Sequence, residues 1–273
     1  MTVFAGLFLL LAAWPADTNA PVAYWHEQRQ QPRPLQIHFL RIDLSNPTIA
    51  VNALVADDPD GAGPAEAQLE NPLDLAARGG VMAAVNANAF NAVPPLAPGE
   101  QPHWVWHLPI DIKGWAQLGA TVRSLPVKGW PSIWIDPAGR GHVGIRNEPA
   151  PAQAAAAGFG QLLRDGQSVV GTNQILHPRT AAGVDREGFR LWLLVVDGRQ
   201  PNYSEGATES ELAGLMKEVG CWDALNLDGG GSSIMLLSTN GTNLSIMNRP
   251  SGGTPRPVPV MLGIKSGASA DRR

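Results

Sequence analysis

The chain has a single cysteine, Cys221, so no intrachain disulfide can form and its stability must come from packing. No thiolate-stabilising motif surrounds that residue, which reads as a small buried side chain beside a helix end rather than as a nucleophile. Runs of Lys or Arg are also missing, and the formal net charge is -4. Nucleic acids and anionic membranes recruit basic patches, so neither is expected as a partner, and a small molecule or glycan fits better. No apolar run is long enough to span a bilayer comfortably. The longest, Val3 to Trp14, is followed by Pro15 and by small residues ending Thr18-Asn19-Ala20. This resembles a signal peptide over 1–20, although its start lacks Lys and Arg, and an uncleaved anchor is the rival reading. The expectation is a secreted or periplasmic protein, without stable membrane insertion once the signal is cut before Pro21.

The residues that are abundant describe a loop-rich globular protein. Of 273 residues, 44% are hydrophobic and only 16% charged, with 30 Gly and 24 Pro, which excludes a disordered chain. No internal repeat is visible. Residues Ala23 to Pro34 are polar and broken by proline, so Leu35 to Ile42 is expected to be the first strand, with Thr48 to Ala56 as its hairpin partner. A short helix is expected near Leu73 to Arg78, then a buried strand over Val81 to Val85 that exits into Asn86-Ala-Asn88-Ala-Phe-Asn91. The Pro-rich stretch Ala92 to Gly129, with His103, Trp104, Trp106, His107 and Trp115, reads as an insertion over the core that could form a lid or binding wall.

The second half is more regular. Thr180 to Val184 and Phe189 to Val196 form a hairpin, and Thr208-Glu-Ser-Glu211 is a capping box opening an amphipathic helix. Asp223 to Leu227 is a strand, Ser232 to Leu237 pairs through Asn240-Gly241 with Thr242 to Met247, and Val258 to Ile264 is the last strand. A strand, crossover helix and strand of one sheet run parallel, so Asp197 and Asp228 should share a rim, each followed by a glycine. Either Asp-Gly alone is an ordinary turn dipeptide; two matched exits joined by one helix are a stronger signal. The expected fold class is α+β, a single domain over 21–265 with a large mixed β-sheet, a few covering helices and long active-site loops, followed by a flexible tail over 266–273.

Asn226-Leu-Asp-Gly-Gly-Gly-Ser-Ser233 invites a phosphate-loop reading, because successive glycine amides can form an anion nest, but the P-loop lysine is missing. Positive charge would have to come from Arg179, Arg199, Arg249 or Arg256, which stand beside loop-forming residues. His103 and His107 have zinc-like spacing without a helix signal; an oxygen-rich site at Asp197 and Asp228 would better suit a divalent cation such as Ca2+ or Mg2+.

Four segments, His177-Pro-Arg-Thr-Ala-Ala-Gly-Val-Asp185, Val196-Asp-Gly-Arg-Gln-Pro-Asn-Tyr-Ser-Glu-Gly206, Asp223-Ala-Leu-Asn-Leu-Asp-Gly-Gly-Gly-Ser-Ser233 and Asn248-Arg-Pro-Ser251, resemble in order and spacing the phosphodiester glycosidase family. The resemblance covers Leu176 to Ile264, and Asn86 to Phe90 stands where the family has an Asn-Gly-Gly-Phe-Phe-like run, from which Ala87 and Ala89 depart. It implies a hydrolase that cleaves a sugar C1 to phosphate-oxygen bond in a sugar phosphodiester or related glycan. A phosphate monoester is a good leaving group, so arginines and amides can replace much of a general acid, and one carboxylate starts the reaction. The resemblance implies Asp228 as leading carboxylate and Asp197 as its partner. Arg179 and Arg199 are implied as phosphate binders, with His177 and Glu205 as supporting catalytic groups. Asn86, Asn88, Ser204, Gly229, Gly230, Gly231, Ser232, Ser233, Asn248 and Arg256 complete the expected substrate contacts. Two other classes compete: a glycan-binding module stacking sugars on Trp104, Trp106, Trp115 and Trp130, and a metal-dependent phosphodiesterase.

Overall fold

The computed structural model describes residues 20–100, 103–238 and 243–266. The expected signal peptide up to residue 19, the Asn240-Gly241 turn and the tail beyond Ser266 lie outside the described residues.

Strand Leu35–Asp43 is buried at nearly every position, which requires cover on both faces and a neighbour on each edge. It receives both. A seven-stranded sheet runs in the order Val22–Arg29, Leu35–Asp43, Arg190–Val196, Arg179–Val184, Asp223–Asn226, Gly160–Arg164, Gln167–Ser168, and every neighbouring pair is antiparallel. On one face lies helix α2 (Glu209–Glu218), whose Leu212, Leu215 and Met216 pack on Ala181, Trp192 and Ala224. Its capping box forms as expected, with the Thr208 hydroxyl accepting from the Glu211 amide at 3.2 Å and the Glu211 carboxylate accepting from the Thr208 amide at 2.9 Å.

The opposite face meets two five-stranded sheets in the main core, where Leu40, Leu193 and Leu225 pack with Val85, Leu262 and Ile133. One of these sheets has the order Leu244–Ile246, Met235–Ser238, Ala83–Asn86, Val260–Ser266, Ile49–Val55. Helix α1 (Pro72–Gly79) covers its outer side through Leu75 and Ala76, against Leu54, Ala84 and Met261. The other runs Gly141–Ile145, Pro131–Ile135, Ala154–Ala157, Ala116–Leu118, Thr121–Ser124. A three-stranded sheet, Ala67–Gln68, Pro109–Ile112, Phe90–Ala92, closes one side.

The expectation of one unit combining sheet with a few helices holds, but the architecture is mostly β. In place of one large mixed sheet there are four, and every strand pairing among the described residues is antiparallel. The first described strand is Val22–Arg29, largely within the segment Ala23 to Pro34 read as polar and proline-broken; its most exposed side chains, His26 and Gln28, are polar, and it lies at the sheet edge. Ile49–Val55 does not fold back on Leu35–Asp43. It crosses to the other layer and pairs with Val260–Ser266. The stretch 92–129 is more than a covering loop, since it contributes strands to two sheets and buries Trp115 completely.

The rim prediction survives with a strand inserted. Arg190–Val196 and Asp223–Asn226 run in the same direction with antiparallel Arg179–Val184 between them, and α2 makes the crossover. The exits to Asp197 and Asp228 and the entry at Arg179 therefore lie along one edge.

Candidate active site

At that edge a pocket of about 260 Å³ is lined by Phe159, His177, Pro178, Arg179, Arg199, Asn226, Asp228, Gly229–Gly231 and Arg256. Its polar lining carries three guanidinium groups, one imidazole and one carboxyl group. Asp228 follows strand Asp223–Asn226, and its backbone is clamped on both sides: its amide donates to Ala87 O at 2.9 Å and its carbonyl accepts from Asn86 Nδ2 at 2.6 Å. The carboxyl group keeps partial access to the pocket but is otherwise surrounded by protein, and this burial raises its pKa from 3.8 to about 6. The charge of Arg256 and the Gly229 amide oppose that shift. The Ser232 hydroxyl also opposes it, although it forms no hydrogen bond of ordinary geometry.

The arginines come from three separate segments. Arg179, only 5% exposed, donates from Nε to Ala207 O at 3.0 Å and from Nη2 to Ile175 O at 3.2 Å, and its Nη1 lies 3.5 Å from Glu209 Oε1. Arg199 sits at φ +59°, a left-handed conformation that turns the chain back after the strand, and its Nη2 lies 3.1 Å from His177 Nδ1. Burial, then the charges of Arg199 and Arg179, push the His177 pKa down, so the imidazole is neutral and accepts from Arg199 at physiological pH. The Arg256 guanidinium covers Gly231 so closely that a Cβ there would lie 2.3 Å from its Nη2. A side chain at 231 would displace the Arg256 guanidinium from the space that it occupies. Burial and the charge of Arg199 lower the pKa of Arg256, and only Asp228 works in the opposite sense.

The loop Gly229–Ser233 closes on itself through a 3-10 turn over Gly230–Ser232, and the Gly230 amide donates to Pro178 O at 2.9 Å. Gly198, the glycine after Asp197, makes room for backbone: a Cβ there would lie 2.6 Å from Pro178 N.

Several expected site residues build this pocket without facing it. Asp197 is 1% exposed, and its carboxylate accepts from Asn248 Nδ2 at 3.0 Å, the Arg249 amide at 2.9 Å and the Tyr203 hydroxyl at 3.4 Å, with His38 Nε2 at 3.6 Å. It shares the rim with Asp228 but not the cavity, and it ties the 248–249 loop to the sheet. Asn248 joins that carboxylate to Ser233 O and the Met235 amide, while Ser204 donates to Asp197 O at 2.6 Å. Asn86 links Asp228 to the Thr180 hydroxyl and the Ile234 amide. Asn88 holds the Lys113–Trp115 carbonyls and the Ala157 amide. Ser232 and Ser233 are the buried end of the glycine loop, and Glu205 contributes its backbone carbonyl to the Arg199 turn. Glu209, Asn226 and Phe159 were not among the expected residues. The carboxylate that meets Arg179 is Glu209, in the first turn of α2.

A divalent cation between Asp197 and Asp228 does not suit these residues. Both Asp197 oxygens already accept hydrogen bonds, and no group of three or more His, Cys, Asp or Glu side chains with metal-binding geometry occurs among the described residues, His103 and His107 included. Of the tryptophans, Trp115 is core, Trp104 packs edge-on to Phe90, Trp106 is exposed, and Trp130 lies 5.3 Å from Phe159 at the pocket.

Comparison with known proteins agrees with this geometry. The family model described as phosphodiester glycosidase matches residues 115–265. A search of curated protein sequences finds no significant match. Among solved structures, the catalytic domain of zebrafish N-acetylglucosamine-1-phosphodiester alpha-N-acetylglucosaminidase, auto-inhibited by its pro-peptide, superposes with a TM-score of 0.65 at 20% identity, covering 92% of this chain and 86% of that one. A hypothetical protein from Synechocystis gives 0.60 at 14% identity, with 90% and 62% covered. A protein from Burkholderia pseudomallei described as exported gives 0.54 at 16%, with 85% and 74% covered. At these identities the structural likeness establishes the fold, and the family model covers more than half of the sequence. The chain belongs to the phosphodiester glycosidase family and is a hydrolase of that kind.

Proposed function

We propose that the protein is an exported glycosidase that hydrolyses the bond between sugar C1 and a phosphate oxygen in an α-linked sugar phosphodiester or a related envelope or exopolysaccharide glycan. The observation that carries this reading is the pairing of one carboxyl group of raised pKa, Asp228, with three guanidinium groups in one small pocket. A phosphodiester anion is met by Arg179, Arg199 and Arg256. As the C1–O bond lengthens, negative charge grows on the departing phosphate, and the guanidiniums stabilise that state more than the bound substrate. Asp228, ionised above its pKa, faces the positive charge that develops on the sugar or takes a proton from the attacking water. Water oxygen then becomes bound to C1, and the phosphate monoester leaves with the bonding electron pair. The zebrafish relative is named for this class of bond, and the leader-like start of the sequence supports export.

Hydrolysis in isotopically labelled water tests the reaction. Label in the released sugar is the expected result; label in the phosphate would mean P–O cleavage and overturn the reading. N-terminal sequencing of protein recovered outside the cytoplasm tests export, with Pro21 as the expected first residue.

A further inference from the structure

A second cavity, about 410 Å³, adjoins the phosphate pocket on the α2 side of the large sheet. Asn226 lines both, and Glu209, which lies 3.5 Å from Arg179, lines the second. The two linings differ in chemistry. The first is ringed by guanidiniums, whereas the second sets apolar Leu162, Val169 and Val170 against Gln161, Asn226 and Glu209, and its one arginine, Arg164, is hydrogen-bonded to Gln161 Oε1 at 2.8 Å. Apolar wall opposite amide and carboxylate groups suits a hexopyranose ring, which presents C–H faces and donating hydroxyls together.

A second observation points to a ligand. Asn226 is 3% exposed, yet its Oδ1 has no hydrogen-bond partner among the described residues, and leaving a buried acceptor unsatisfied is costly. Along the strand Asn226 and Asp228 fall on one face, while Leu225 and Leu227 belong to the core, so the residue that carries the orphan oxygen lines both the pocket of Asp228 and the second cavity.

We propose that this second cavity is the sugar subsite, in which Asn226 Oδ1 accepts a hydrogen bond from a hydroxyl or amide N–H of the hexopyranose and selects sugars that carry such a donor. The inference rests on the functional reading above, with phosphate in the first pocket and sugar in the second. Gly171 allows it to be tested apart from the phosphate pocket, because it lines only the second cavity and a Cβ there meets nothing within 4 Å.

Binding of the methyl α-glycosides of glucose, N-acetylglucosamine and mannose to the full chain is followed by saturation-transfer NMR, and binding of inorganic phosphate by calorimetry. The expected result is that at least one glycoside binds, that Gly171→Phe and Asn226→Ala each weaken it at least tenfold, and that Gly171→Phe changes phosphate affinity less than twofold. Thermal melting confirms that the variants are folded. If Asn226→Ala does not fold, Gly171→Phe alone decides. Glycoside binding unchanged by Gly171→Phe, or absent from the wild type while phosphate binds and phosphodiesters are turned over, would overturn the subsite. Failure of the wild type to bind phosphate or to cleave any sugar phosphodiester would instead overturn the functional reading.

Discussion

Asp228 links activity to stability with opposite signs. Its pKa is raised by the fold, so between about pH 4 and pH 6 the native state holds a proton that the unfolded chain has lost. The group therefore weakens the fold at neutral pH, and stability is regained as pH falls through about 6. Asp228→Asn should lower turnover by several orders of magnitude while raising stability at pH 7.5 by on the order of 2 kcal/mol, a gain that fades toward pH 4. Melting curves of both proteins across that range check the claim, and a variant less stable than wild type at pH 7.5 would refute it. Because Asp228 acts ionised, wild-type kcat/KM should rise with pH to a plateau above about 6. Arg179→Lys keeps a charge but loses the fork that reaches Ala207 and Ile175, so kcat/KM on sugar phosphodiesters should fall roughly ten- to a thousand-fold, and less on an activated aryl glycoside. An equal loss on both substrates would show that Arg179 acts only by holding the loop or the sugar and does not read the phosphate. At this scale the cations, His177, Asp228 and the glycines were legible as a group. The direction of a buried amide was not: Asn86, Asn88 and Asn248 have the right chemistry for a sugar, but their hydrogen bonds are taken by backbone and by the side chains of Thr180 and Asp197. Asn226 could have been found, because period-two alternation puts it on the same side as Asp228.

Among the elements, α2 was the most legible, since its capping box and apolar spacing act locally. Thr208→Ala removes the hydroxyl that caps Glu211 and should cost about 1 kcal/mol by denaturant titration. A shift in activity should accompany it, because the adjacent Ala207 carbonyl anchors Arg179. The glycine loop makes a complementary prediction. Gly231→Ala places a methyl group where Arg256 lies, so activity should drop with little change in melting temperature, whereas Gly206→Ala collides with the His177 backbone at φ +104° and should cost stability too. Strand pairing was poorly legible. Ala154–Ala157 has strong helix formers throughout yet is a fully buried strand, paired on both edges with Pro131–Ile135 and Ala116–Leu118, so tertiary pairing overrides local propensity. Leu35–Asp43 and Ile49–Val55 read as a hairpin from proximity, but burial on both faces sends them to different layers.

For the whole molecule, anion binding should appear as stabilisation. Inorganic phosphate at a hundred times its dissociation constant should add about 2.7 kcal/mol, and Arg256→Ala should remove most of that gain without altering the phosphate-free melting temperature by a comparable amount. The order of strands in the large sheet has a further consequence, in time rather than in space. Leu35–Asp43 has Val22–Arg29 as its only neighbour until Arg190–Val196 arrives, and the clamp on Asp228 needs Asn86, Thr180 and Ile234 together. Non-local antiparallel pairing of this kind folds slowly. A chain growing from its amino end cannot complete its central sheet until Asp223–Asn226 exists, about four-fifths of the way along, so the catalytic pocket is among the last features to form.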